Sequence, residues 1–191
     1  MIISFSGPAG SGKSTLAKKL AKKLKWPRYY IGGIRREKAR ERGMTLAEYN
    51  KLGETSPETD IEVDEYQKEL GETEDNFIIE GRTSWYFIPH SLKIYVDVDE
   101  NIGSERVFQS LKEKDERNED KNLKTVKDVL ASHKKRKESD AKRYRKYYNF
   151  DVSDKSNYDF IIDTSKQSEK ESFDELYEYI KEKIKKSTLL K

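Results

Sequence analysis

The chain has 191 residues, 39% of them charged, and 39 basic residues nearly balance 36 acidic ones for a net charge of +3. That length fits one domain with a real core, while interleaved signs of charge argue for solvated helix faces rather than a nucleic-acid footprint. The absence of cysteine excludes a disulfide framework or a thiolate metal site, and no apolar run approaches membrane-spanning length.

Four short apolar runs, at 2–5, 76–81, 92–98 and 158–163, read as buried strands, and 28–32 (RYYIG) is a weaker fifth. Helical patterns lie between them. Leu16, Leu20 and Leu24 place an apolar stripe on 13–25, and further helices are expected at 34–42, 45–53, 57–70, 100–114, 122–148 and 168–186. This alternation predicts one α/β domain: a three-layer sandwich around a five-stranded parallel sheet. Residues 112–146 are the most charged part and read either as an exposed helical pair or as a lid. With no basic leader segment, the expectation is a cytoplasmic protein and a monomer. His90 and His133 have no neighbours at metal-ligand spacing and are read as surface residues.

The segment from Gly7 to Thr15, GPAGSGKST, sits between the first strand and the first helix. It fits G-x-x-x-x-G-K-[ST], the Walker A loop. Small residues let main-chain amides approach phosphate oxygens, and the new helix adds unsatisfied N–H groups. Gly7, Pro8, Ala9, Gly10, Ser11, Gly12, Lys13, Ser14 and Thr15 are therefore the expected ATP-binding residues, with Lys13 on the terminal phosphates and Ser14 on Mg²⁺. No N-K-x-D guanine signature appears. A small phosphotransferase is the reading that remains, and it needs several inward arginines to hold two polyanions head to head.

Three segments offer them. IGGIRREKARERGM (31–44) places two glycines before Arg35 and Arg36. IIEGR (78–82) ends a buried strand, where ligands gather in an open parallel sheet; Glu80 is expected to hold an Mg²⁺-bound water and Arg82 a phosphate. Arg136, Asp140 and Arg143 share one helical face at i, i+4, i+7, a spacing that ordinary surface ion pairs also produce.

Together with GPAGSGKST, the stretches IGGIRREKARERGMTLAEYNKLGETSPETDIEVDEYQKEL, IIEGR and KESDAKRYRKYYNFDVSDKSNYDFIIDTS resemble the archaeal-type cytidylate kinases, P-loop enzymes of the nucleoside monophosphate kinase superfamily. The resemblance covers nearly the whole chain. It implies transfer of the ATP γ-phosphoryl group to CMP or dCMP with Mg²⁺, in a P-loop kinase fold with an acceptor segment at about 32–75 and a lid at about 112–146. Gly32, Arg36, Arg82, Arg136, Asp140 and Arg143 then become acceptor-binding, Lys13, Arg82, Arg136 and Arg143 catalytic, and Arg106 a residue near ATP. Three positions depart from the family pattern. Arg35 stands where an aromatic residue is usual, Thr83 where bacterial members place an aspartate at the cytosine site, and Lys13 where many archaeal-type members have threonine. The competing readings are a small P-loop kinase for UMP, AMP, shikimate or dephospho-CoA, and an RNA-binding P-loop NTPase using HKKRK (133–137).

Overall fold

The computed structural model describes residues 1–113 and 123–189. Five parallel strands form one sheet in the order β2-β3-β1-β4-β5: β1 Ile2–Ser6, β2 Arg28–Tyr30, β3 Phe77–Glu80, β4 Leu92–Asp97 and β5 Phe160–Asp163. The pleat explains the continuous apolar runs. Ile3, Phe5 and Ile78 face one way, onto Leu16, Leu20, Leu176 and Ile180 of helices α1 (Lys13–Leu24) and α8 (Glu169–Leu189). Ile2, Phe77 and Ile79 face the other way, onto Val63 and Leu70 of α4 (Glu58–Thr73). With both faces covered, a strand has no solvent side to mark with alternating polar residues. Each fully buried Ile, Leu or Phe contributes about 1.5–3 kcal/mol.

The remaining helices gather at the carboxyl ends of the strands. α2 (Ile31–Glu41) follows β2 directly, α3 (Leu46–Gly53) begins at a capping box between Thr45 and Glu48, and the short α5 (Ser84–Phe87) follows β3. α6 (Glu100–Glu113) follows β4, and α7 (Val126–Tyr148) starts at a second capping box between Thr125 and Asp128. Two boundaries differ from expectation. β2 stops at Tyr30, and Ile31 and Gly32 already belong to α2. The Tyr30 ring lies on Gly32 and Gly33, where a Cβ would come within 2.9 and 2.7 Å of ring carbons. The four-residue α5 has too few positions to carry a helical period.

The highly charged 112–146 stretch is not simply an exposed pair. α7 buries Val129, Ser139, Asp140, Arg143 and Tyr144, and it is fastened to α3 and the turn after it. Tyr147 OH donates to the Gly53 carbonyl at 2.9 Å, and Lys146 Nζ to that of Glu54 at 3.1 Å. The part of the expected lid at 114–122 lies outside the described residues.

Candidate active site

The loop between β1 and α1 is held by backbone rather than side chains. A Cβ on Gly10 would lie 2.1 Å from the Gly103 carbonyl oxygen of α6, and Gly10 has φ +77°, so only glycine fits. Arg106 tightens the same junction. Its Nη1 donates to Thr164 Oγ1 at 2.9 Å and to the Gly10 carbonyl at 3.4 Å, and its Nη2 donates to the Thr164 carbonyl at 2.8 Å. Thr164 Oγ1 in turn donates to the Ser11 carbonyl at 2.9 Å. Arg106 thus buckles the loop to the end of β5; it is not part of the cleft wall described next. At the other end, Gly12 caps α1 without a side-chain hydrogen bond and no acid occupies the first turn, so the first amides of α1 stay available to an anion.

In front of this loop opens a cleft of roughly 910 Å³, floored by Ala9, Gly10 and Gly12 to Thr15. Lys13 Nζ donates to the Pro8 carbonyl at 3.1 Å. Its pKa falls from 10.5 to about 7, through burial first and the Arg82 charge next; Glu80 opposes, while Arg136 and Arg36 add to the fall. Gly7, Pro8 and Ala9 also line a neighbouring cavity of roughly 540 Å³, together with Arg82, Arg136 and Asp140, and Ser11 is fully buried behind the loop.

Arginines from three elements reach the same cleft. Arg36, on α2, donates from Nη1 to Tyr30 OH at 2.8 Å and to the Gly32 carbonyl at 2.9 Å. Arg82, just past β3, pairs with Asp140 at 3.0 Å, and Arg136 enters from α7. Burial pushes the Asp140 carboxyl up, but Arg82, Arg143, Arg136 and Arg35 more than offset it and hold it below the usual carboxylate range.

Arg143 has a different place. It is fully buried, does not line the cleft, and pairs with both Asp60 of α4 and Asp140 of its own helix. Burial opposes its charge, yet Asp140 and, more weakly, Asp60 keep the guanidinium firmly protonated. It pins α7 to α4, so that Asp140 can hold Arg82.

Glu80 ends β3 with a fully buried side chain. Oε1 accepts from Arg28 Nη1, whereas Oε2 is buried with no hydrogen-bond partner among the described residues. Glu80 and Ser14 both line the cleft. A hydroxyl near the phosphate loop and a spare carboxylate oxygen form an all-oxygen set that suits Mg²⁺ with water in its shell.

The same cleft is lined by Arg35 and Thr83, noted from the sequence as departures, and by Asp64, which reading by motif missed. Asp64 is 5% exposed. Its Oδ1 accepts from Gln67 Nε2 at 3.1 Å and Thr83 Oγ1 at 3.3 Å, and its Oδ2 accepts from Tyr148 OH. Burial pushes its pKa up to about 7; the Tyr148 bond and Arg35 oppose, and Asp60 adds to the rise. Arg35, 8% exposed, donates from Nε to Asn50 Oδ1 at 2.8 Å and from Nη1 to Asp60 Oδ1 at 2.7 Å. The available signal was periodicity: Asp60, Val63, Asp64, Gln67 and Leu70 all fall on the buried face of α4, where acids are out of place.

Comparison with known proteins bears directly on this arrangement. Residues 2–166 match the model of the cytidylate kinase-like family. The chain belongs to that family. A cytidylate kinase of Pyrococcus furiosus is 40% identical over 169 residues, covering 88% of this chain and 82% of the relative. One from Pyrococcus abyssi is 37% identical over 188 residues, covering 94% and 97%. The fold is also that of a shikimate kinase from Bacteroides thetaiotaomicron, with TM-score 0.62 at 15% identity over 95% of this chain and 98% of that one. This member of the cytidylate kinase-like family therefore combines a P-loop kinase fold with the cationic cleft described above.

Proposed function

We propose that the chain transfers the γ-phosphoryl group of ATP to CMP or dCMP. The observation that carries this reading is the convergence of Lys13, Arg36, Arg82 and Arg136 on one cleft, where burial first and the arginine charges next bring the lysine to about 7. Such a cluster repels itself until polyanions enter. One anion at the P-loop accounts for the lysine and the bare amides, and a second, facing it, accounts for arginines supplied by three separate elements.

The main-chain amides at 9–15 and Lys13 grip the donor's terminal phosphates. Arg36, braced by Tyr30, and Arg82, braced by Asp140, hold the acceptor phosphate in line with them. An acceptor phosphate oxygen is already ionised at neutral pH, so the step needs no general base, and rate comes from alignment and charge neutralisation. Arg136, brought over from α7, adds positive charge to the charge-rich transition state and helps to exclude water. Ser14 and Glu80 would hold Mg²⁺, Glu80 through water, and the ion would supply neutralisation of phosphate charge. Arg143 acts on the site through Asp60 and Asp140, as a positioning residue.

Coupled detection of ADP with CMP, dCMP, UMP, AMP and shikimate tests the assignment. CMP or dCMP should stimulate ATP turnover most. If no monophosphate accelerates it, this function is wrong; stimulation by shikimate or AMP alone would reassign the acceptor.

A further inference from the structure

Arg28 belongs to none of the motifs; in the sequence it is only the first residue of the weak strand RYYIG. The fold places it on the cleft beside the phosphate loop. β2 and β3 run parallel, with Arg28 alongside Ile78 and Tyr30 alongside Glu80. Residues two apart share a face of a sheet, so Arg28 and Glu80 leave it on the same side. The long Arg28 side chain runs forward along that face, and its Nη1 donates to Glu80 Oε1.

The two ends of this pair differ. The Glu80 side chain is fully buried, whereas that of Arg28 is 28% exposed. A buried carboxylate without a cationic partner is costly, so Glu80 is the member that depends on the pairing. Lys13 is close enough for Glu80 to act on its charge. An ion pair between those two would take the lysine from the donor phosphates and Glu80 from the metal site together. Pairing with Arg28 draws the carboxylate toward the β2 edge instead and occupies one oxygen only. Oε2 keeps its lone pairs, with no hydrogen-bond partner among the described residues. An ion pair that only fastened the sheet edge would be expected to satisfy both buried oxygens. The guanidinium is itself held in place. It lies 5.8 Å from the centre of the Tyr30 ring, and that ring is seated on Gly32 and Gly33.

Given the kinase reading above, on which this inference rests, we propose that Arg28 is a positioning residue for phosphoryl transfer: it holds Glu80 off Lys13 and leaves Oε2 for the hydration shell of Mg²⁺. Tyr30 keeps the guanidinium where it can do this. Arg28 acts through Glu80 and is not itself a metal ligand.

The test reads metal binding without turnover. Electron paramagnetic resonance measures the Mn²⁺ affinity of the protein saturated with the non-hydrolysable ATP analogue AMP-PNP. Arg28→Gln should weaken Mn²⁺ binding by about 10- to 100-fold, the usual cost of losing the partner of a metal-holding group. Arg28→Lys, which returns a positive charge to Glu80, should recover most of that loss. Glu80→Gln should lose Mn²⁺ affinity by itself, and adding Arg28→Gln to it should cost nothing more, because the two residues act as one unit. Native affinity in Arg28→Gln, or an undiminished further loss in the Glu80→Gln background, would overturn the assignment. If Arg28→Gln does not fold, the native protein decides. A crystal structure with Mn²⁺ and AMP-PNP should show Glu80 still on Arg28 and linked to the metal through water, and a carboxylate turned onto Lys13 would refute the role. Failure of the native enzyme to phosphorylate any nucleotide, with Mn²⁺ binding intact, would refute the kinase reading instead, so the two failures are told apart.

Discussion

Lys13→Met removes the ammonium while keeping an unbranched apolar stem, and it should make the free protein more stable while abolishing phosphoryl transfer. Burial and the Arg82, Arg136 and Arg36 charges bring the lysine from 10.5 to about 7. At about 1.4 kcal/mol per pH unit, that difference caps the cost of the charged form at about 5 kcal/mol. Partial solvent access and screening reduce it to about 1–3 kcal/mol. The sign follows from proton counting. A lysine with a depressed native pKa binds more protons unfolded than folded between pH 7 and 10.5, so the native protein gains stability as pH rises through that window and loses it as pH falls toward 7. The gain of the variant over the native protein should therefore be largest below pH 7 and vanish near pH 10. For a chain of this size, about 1–3 kcal/mol corresponds to roughly 3–10 °C in Tm. Scanning calorimetry of both nucleotide-free proteins at pH 6 and pH 9.5 reads this directly. A variant that is less stable at pH 6, or whose advantage does not change with pH, would refute the crowded-cation description of the cleft.

Other perturbations separate the parts of the site. Gly10→Ala must move backbone, since its Cβ would meet the Gly103 carbonyl at 2.1 Å and its φ is +77°; ATP affinity measured by calorimetry should drop at least ~10-fold, with a stability loss of about 2 kcal/mol or more. Arg143→Ala leaves Asp60 without its Arg143 partner in the interior. Chemical denaturation should show a loss of about 3–5 kcal/mol, whereas a fully stable variant would mean that α7 is not pinned by this residue. Arg82→Ala should lower kcat by about 10²-fold or more with a much smaller effect on Tm, a split that stopped-flow assay and thermal melts resolve together. Chelation of divalent ions by EDTA should stop turnover, and restoration by Mg²⁺ should need a higher concentration in Glu80→Gln than in the native enzyme.

The central framework was legible because it rests on local rules. GPAGSGKST spells out a loop that avoids side chains, and buried parallel strands appear as unbroken apolar runs whatever lies around them. The start of α2 was less legible: Ile31 and Gly32 look like strand and turn until the Tyr30 ring is seen lying on Gly32 and Gly33. The face of α7 was visible as spacing, but spacing cannot rank its members. Arg136 reaches the cleft while Arg143 goes into the interior, because Asp60 waits there on α4, some eighty residues earlier in the chain. Asp64 and Arg35 illustrate the same limit. Asp64 looks like one more charge among many and Arg35 only like a departure from a pattern; their partners, Thr83, Gln67 and Tyr148 for the first and Asn50 and Asp60 for the second, are assembled only by the folded chain.

A bisubstrate compound, with adenosine and cytidine joined through five phosphates, probes the head-to-head arrangement in a single titration. Calorimetry should give one site per chain, an affinity at least ~100-fold above that of ATP or CMP alone, and displacement by either nucleotide. Binding no tighter than ATP, unaffected by CMP, would contradict the claim that one cationic cleft holds both nucleotides at once.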